Sequence, residues 1–222
     1  MVLSAHQPAY LPWLGYFYKI VKSDVFIFLD SVQYEKNSYI NRNRIKTSQG
    51  YVWLTIPVKT KGHLSQTLKD TEIDYIQNWK HKHLKTIYYN YQKASNFRRL
   101  YPKLEKLYEK DYPLLSDLCF NHLNFWLEEL KIKTKIVRSS RLSINSKKSD
   151  LIFDLCKHYT ANHYIAGRFG KEYLEEFKFK NAGILIEYQE YQYIEYSQLY
   201  GNFMPNLGVI DFCMNMDHKK FF

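Results

Sequence analysis

Strand, loop, helix and strand follow one another within the first thirty residues, and this order constrains the fold more than any other feature of the chain. Val2-Leu3-Ser4-Ala5 is a short apolar run that stops at His6-Gln7-Pro8. Pro8 and Pro12 exclude a regular element between them, because proline fixes φ and has no backbone donor. From Trp13 to Val21 the apolar residues Trp13, Leu14, Phe17, Ile20 and Val21 recur at spacings of three and four, the period of a helix that lays one face on a sheet. Residues 24–30 (DVFIFLD) are a nearly continuous β-branched and aromatic run, which predicts a buried parallel strand. The result is a βαβ unit with a right-handed crossover, whose ligand site belongs at the carboxyl ends of the strands. His6 and Asp30 both fall at such ends.

Residues 44–58 predict a hairpin turned at Ser48-Gln49-Gly50, in which Trp53, Thr55 and Pro57 alternate with Val52, Leu54 and Ile56. Helical periodicity then takes over, with helices expected near 77–93, 97–109 and 113–130, and Pro102 and Pro113 close to helix starts. Alternation returns afterwards: strand 133–138, helix 149–159, strand 163–166, a short helix 170–177 and strand 184–190. The expected class is α/β, a mostly parallel Rossmann-like sheet flanked by helices, with a β-hairpin and a helical insertion over about 76–131. A chain of 222 residues falls within the range of one compact domain, and 1–222 is read as one.

No run approaches the roughly 20 apolar residues of a membrane helix, and no basic leader precedes an apolar stretch, so membrane insertion is not expected and a cytoplasmic location is. Cys119, Cys156 and Cys213 are odd in number and widely spaced, which argues against a disulfide framework or a zinc ribbon and for buried thiols. A cysteine nucleophile stays open, because its partner histidine would be near in space and not in sequence. A net charge of +10, spread along the chain, favours an anionic ligand: an anionic small molecule such as a nucleotide or a sugar nucleotide, a carrier's phosphopantetheine or a nucleic acid. A lysine-rich solvated surface explains the same charge.

Four segments carry side chains suited to chemistry. In His6-Gln7-Pro8-Ala9-Tyr10-Leu11-Pro12-Trp13 a titratable imidazole at a strand end precedes prolines that fix the loop, which suits a general base; a histidine capping a strand under an aromatic cover fits equally. Asp30, Gln33, Lys36, Asn41, Arg42, Asn43 and Arg44 form a dense polar set beyond the second strand, and guanidinium groups beside amides suit phosphate or carboxylate recognition. If extended, Asn41 and Asn43 face one way and Arg42 and Arg44 the other. Trp79-Lys80-His81-Lys82-His83 places two histidines two apart on a helix, the wrong spacing for a metal, and no metal is expected. Anion contact by Lys80 or His83 stays open beside a solvated face.

Gly167, Arg168, Gly170 and Tyr173 lie where a strand runs into a helix, and glycines there let a ligand approach the backbone, although simple turn geometry also accounts for them. Residues 143–148 (SINSKK) are weakly similar to the lysine-serine loops of nucleotide-activating enzymes. Tyrosine and lysine interleave in stretches such as 88–93, but no RNA-binding or zinc-finger pattern is present, and nucleic acid is not an expected partner.

Five stretches in order, residues 6–20, 25–46, 52–58, 164–174 and 203–216, resemble the WbqC-like family, whose members are commonly encoded among bacterial O-antigen and surface-polysaccharide genes. His6, Gln7, Tyr10, Trp13, Asp30, Gln33, Asn41, Arg42 and Asn43 match its N-terminal motifs, and Gly167, Gly170 and Tyr173 its later one. The tail departs from the pattern: Gly208 stands where the family has a serine, so no role of that serine carries over. The gene setting implies acyl or aminoacyl transfer to an amino-sugar or sugar nucleotide, with an activated acyl or aminoacyl donor and an acyl-carrier protein among the partners this would use. In that expectation His6, oriented by Asp30, is the base, while Arg42 and Arg168 hold the anionic substrate. If Cys156 or Cys213 converged on His6, transfer through a thioester would replace it. The rival expectation is a non-catalytic module that binds a sugar nucleotide or a carrier protein.

Overall fold

The computed structural model describes residues 1–59 and 66–217. In chain order the elements are β1 (Val2–His6), α1 (Leu14–Val21), β2 (Val25–Phe28), β3 (Arg42–Thr47), β4 (Gly50–Thr55), α2 (Trp79–Tyr91), α3 (Phe97–Glu109) and α4 (Leu115–Glu129). They continue with β5 (Lys135–Arg138), α5 (Lys148–His158), β6 (His163–Ala166), α6 (Glu176–Asn181), β7 (Leu185–Tyr188) and α7 (Val209–Asn215). The fold is α/β. Packing groups the chain into two compact units: one of Met1–Pro8, Gly15–Val32 and Lys133–Gln192, the other of Ala9–Leu14, Gln33–Ile132 and Tyr193–Phe222.

The first unit holds a five-stranded sheet in the order β5-β2-β1-β6-β7, with every pairing parallel. Side chains alternate across it. Leu3, Ala5, Val25, Ile27, Tyr164 and Ala166 face Leu151, Ile152, Leu155 and Cys156 of α5 and Phe179 of α6 in one apolar core. The intervening side chains, Ser4, His6 and Phe26, meet α1 on the opposite face: Tyr16 packs on Phe26 at 5.3 Å between ring centres, and the Ser23 hydroxyl donates to the Ser4 hydroxyl at 2.6 Å. All four residues of β2 are buried, which explains its unbroken apolar run. The helix expected over 170–177 is instead a 3-10 turn at Arg168–Glu172 followed by α6. Leu174, only 7% exposed, turns inward between them and breaks the helical register.

In the second unit β3 and β4 pair antiparallel from Arg42↔Thr55 to Thr47↔Gly50, closed by the two residues Ser48 and Gln49. Gly50 has φ of +112°, open to glycine and strained for other residues. Helices α2, α3 and α4 correspond to the three predicted ones, and Pro102 lies well inside α3, not in its first turn. Among the described residues no helix is long and apolar enough to cross a membrane.

Candidate functional site

In the first unit the neighbours β1 and β6 are left in opposite directions, since the chain passes from β1 to β2 at one side and from β6 to β7 at the other. Such a reversal opens a crevice at the carboxyl ends of the strands, where doubly wound sheets hold their ligands. His6 ends β1, and Gly167 and Arg168 follow β6.

His6 is half-buried, with its ring centre 4.8 Å from that of Tyr16. Its Nδ1 lies 3.0 Å from the Gln7 carbonyl oxygen, which assigns the proton of the neutral ring to Nδ1 and the lone pair to Nε2. The Tyr16 hydroxyl donates to the same carbonyl at 3.3 Å. Burial, helped by the nearby Lys19 charge, lowers the imidazole to about 3. The ring is therefore neutral at physiological pH but weakly basic, and burial works against its use as a proton acceptor.

Lys19, which belongs to none of the four polar segments of the sequence, lies beside this histidine's strand. Its side chain is buried, 2% exposed, and Nζ donates to the Ala5 carbonyl at 2.8 Å. Among the described residues no carboxylate pairs with it, and burial lowers the ammonium to about 7. A stripe of helical spacing, Tyr16, Lys19 and Ser23, carries it onto the face of α1 that meets Ser4 and His6. Lys19 also lines a cavity of about 250 Å³ with Tyr18, Lys22, Ile165, Glu187, Tyr188, Gln189 and Glu190.

Asp30 is fully buried two residues beyond β2, and its carboxylate accepts from Arg138 Nε at 2.6 Å, Ser139 Oγ at 3.2 Å, Ser140 N at 2.8 Å and Ser140 Oγ at 2.8 Å. Both oxygens are thus engaged by the end of β5. Gly167 leaves room for a Cβ, with Lys19 Nζ at an ordinary 3.7 Å, whereas a Cβ on Gly170 would stand 2.8 Å from that of Ala166. Gly170 is needed for packing. Arg168 and Tyr173 are exposed.

The other predicted residues lie in the second unit. Tyr10 is fully buried, its hydroxyl bonded to His83 Nδ1 at 2.9 Å and to the Tyr108 hydroxyl, while His83 Nε2 meets the Thr55 carbonyl at 3.1 Å. This packing occupies His83, and Lys80 is held by Asp111 at 2.5 Å. Asn41 and Asn43 do turn inward: Asn41 Nδ2 donates to the Ile56 carbonyl at 2.8 Å and Asn43 Nδ2 to that of Leu11 at 2.5 Å. Arg42 and Arg44 turn outward, their guanidinium centres 4.6 and 5.7 Å from the Trp53 ring, and Arg44 also lies 4.8 Å from Tyr51. Trp13 packs on Tyr39 at 5.6 Å, Gln33 bridges to Thr67, and Lys36 is exposed.

A second feature without a sequence motif is a buried polar knot. Asp211, at the start of α7, accepts from Tyr91 at 2.7 Å, Tyr196 at 2.8 Å and Gln198 at 2.9 Å, and burial raises its carboxyl. Gly208 sits against Leu11, whose carbonyl would be 3.0 Å from an added Cβ, so a serine at 208 would press on this backbone. A larger hollow of about 420 Å³ is lined by Glu195, Tyr196, Ser197 and apolar neighbours and touches none of the predicted residues. The three thiols are buried. Burial raises Cys119 and Cys213 strongly and Cys156 to about 12, far from thiolate chemistry at neutral pH. Among the described residues no three His, Cys, Asp or Glu side chains are grouped to hold a metal ion.

The fold and this crevice define an α/β protein with a parallel, doubly wound sheet and a basic centre at its switch point. The WbqC-like protein family matches residues 7–221, and the chain belongs to that family. It is also 34% identical over 212 residues to an uncharacterized protein, Rv1507c, of Mycobacterium tuberculosis (strain ATCC 25618 / H37Rv), covering 95% of this chain and 91% of the relative. No solved structure matches the chain significantly.

Proposed function

We propose that this protein is an acyl- or aminoacyltransferase of surface-polysaccharide (O-antigen) biosynthesis, acting on an amino-sugar or a sugar nucleotide at the β1/β6 switch point. The supporting observation is the pairing of a neutral His6 with an uncompensated buried Lys19 where doubly wound sheets bind ligands. Amide formation needs an amine freed of its proton and a site that excludes competing water. His6 Nε2 accepts a hydrogen bond from the attacking group and orients it, and exposed Arg168 steers an anionic donor. The test incubates the full chain with amino-sugars, sugar nucleotides and either acyl thioesters or aminoacyl adenylates, and follows acceptor mass. Growth of the acceptor by one acyl or aminoacyl group, lost in His6→Ala with acceptor binding retained, is expected. No mass gain with any donor class rejects the reading.

The hairpin favours a second reading, a non-catalytic sugar-nucleotide module. Arg42 and Arg44 are held on Trp53 and by the carbonyls of Asn37 and Asn206, which leaves their outer donors available to phosphates, while Tyr51 and Trp53, 49% and 36% exposed, offer ring faces to a base. Binding of such ligands without turnover would support it.

A further inference from the structure

The geometry points to the cavity lined by α1 and the end of β7 as a subsite for a primary amine, in which Lys19 takes the proton of the incoming ammonium; this rests on the transferase reading above. The cavity's volume of about 250 Å³ lies below the ~300–1,000 Å³ of sites for drug-sized ligands and suits a single sugar ring. Its lining has the complement of groups that such a ligand needs. Tyr18 and Tyr188 are the aromatic side chains of this lining, and Gln189 has its Nε2 anchored on the Gly15 carbonyl at 2.6 Å. Glu187 and Glu190, both exposed, attract a cation to the cavity. Lys19 is the most buried of the charged lining groups, and in the neutral form its lone pair can receive a proton.

The groups that face Lys19 are His6 from β1, Tyr18 and Lys22 from its own helix, and Glu187, Tyr188 and Glu190 from β7 and beyond; Ile165 and Gly167, from β6 and its end, carry no charge. Glu187 Oε2 lies 2.9 Å from His163 Nε2. In the step proposed, one proton passes from the acceptor's ammonium to Lys19 Nζ, and the nitrogen lone pair so freed forms a C–N bond to the acyl carbon. The bond from that carbon to the leaving group breaks. The leaving group departs with the bonding pair and takes the second nitrogen proton, while Lys19 returns its own proton to water. His6 is too weakly basic for the first of these transfers, whereas an amine poised near neutrality is matched to it.

The probe is 6-amino-6-deoxy-D-glucose, with D-glucose as the control, titrated calorimetrically into the full chain at pH 6, 7 and 8. A cationic amine is repelled by protonated Lys19 and accepted by its neutral form. With the lysine near 7, the neutral fraction and hence the affinity rise about tenfold between pH 6 and pH 8. Lys19→Met should bind with no such pH dependence, and Lys19→Arg, permanently charged, should bind poorly throughout. Glu190→Gln, an exposed change that leaves the core untouched, should weaken wild-type binding several-fold. Absence of binding, equal binding of glucose, affinity that falls with pH, or a pH slope that survives in Lys19→Met each overturns the proposal. Binding needs no donor. Lys19-dependent amine binding without acyl transfer would therefore sink the transferase reading alone, and transfer with Lys19-independent binding would sink this one alone.

Discussion

Removing the buried amine should change how stability depends on pH. In the folded chain Lys19 loses its proton near 7, whereas in the unfolded chain it keeps it until about 10.4. Between these values the unfolded state binds one more proton, so wild-type stability rises with pH, and below pH 7 both states are protonated and the lysine's contribution is constant at its minimum. Each pH unit in this window is worth about 1.4 kcal/mol, giving about 3 kcal/mol between pH 7 and pH 9 and an upper bound of about 5 kcal/mol over the whole window. Urea unfolding of wild type and Lys19→Met at half-unit intervals from pH 6 to pH 9 isolates the term, because groups out of reach of Lys19 cancel in the difference and His6, whose folded value near 3 the Lys19 charge helps to set, titrates in the folded chain well below this range. The difference should be flat to pH 7 and then climb in favour of the wild type. A difference flat to pH 9 would show that the amine is solvated or paired, and the argument from its burial would fail.

His6 gives the complementary acid limb. Its folded value near 3 lies below the ~6.5 of an unperturbed imidazole, so it withdraws stability as pH falls from about 6.5 to 3, and His6→Gln should flatten acid unfolding in that window. Asp30→Ala strands the Arg138 guanidinium and should cost about 3–5 kcal/mol in denaturant unfolding; a stable variant that loses only turnover would make Asp30 a catalytic group after all. Gly170→Ala forces a methyl against Ala166 and Tyr188 and should cost about 1–3 kcal/mol, with Gly167→Ala nearly neutral by the same assay. Uridine diphosphate should quench Trp53 fluorescence, and Arg44→Gln should weaken that quenching roughly tenfold if the hairpin grips phosphate.

Much of the architecture was legible because period and burial agree. The apolar runs at 2–5 and 24–30 became central parallel strands, and in the alternation Asn41, Arg42, Asn43, Arg44 at the start of β3 the asparagines are buried and the arginines half-buried. Strand order was not legible, since the neighbour of β1 across the switch point, β6, lies some 160 residues along the chain, as in the pair Val2↔His163. The surroundings of the candidate site were legible only in part. His6 ends β1, and Gly167 and Arg168 follow β6, but the partners of Asp30 come from Arg138 at the end of β5 and from a 3-10 turn at 139–141 that has no sequence signal. Lys19 was hidden by its type: a lysine's burial is set by what α1 lies against, and local spacing does not report that. Tyr10 and Asn43, read as ligand contacts, spend their polar atoms on internal hydrogen bonds.

The central claim is that function resides at the switch point of the five-stranded sheet. Amide chemical-shift mapping of the ¹⁵N-labelled full chain, titrated with 6-amino-6-deoxy-D-glucose, tests it most directly. Saturable shifts are expected at Gln7, Lys19, Gly167, Arg168 and Gln189, with Arg44 and Trp53 unmoved. Shifts confined to the hairpin, with those five amides still, would contradict it.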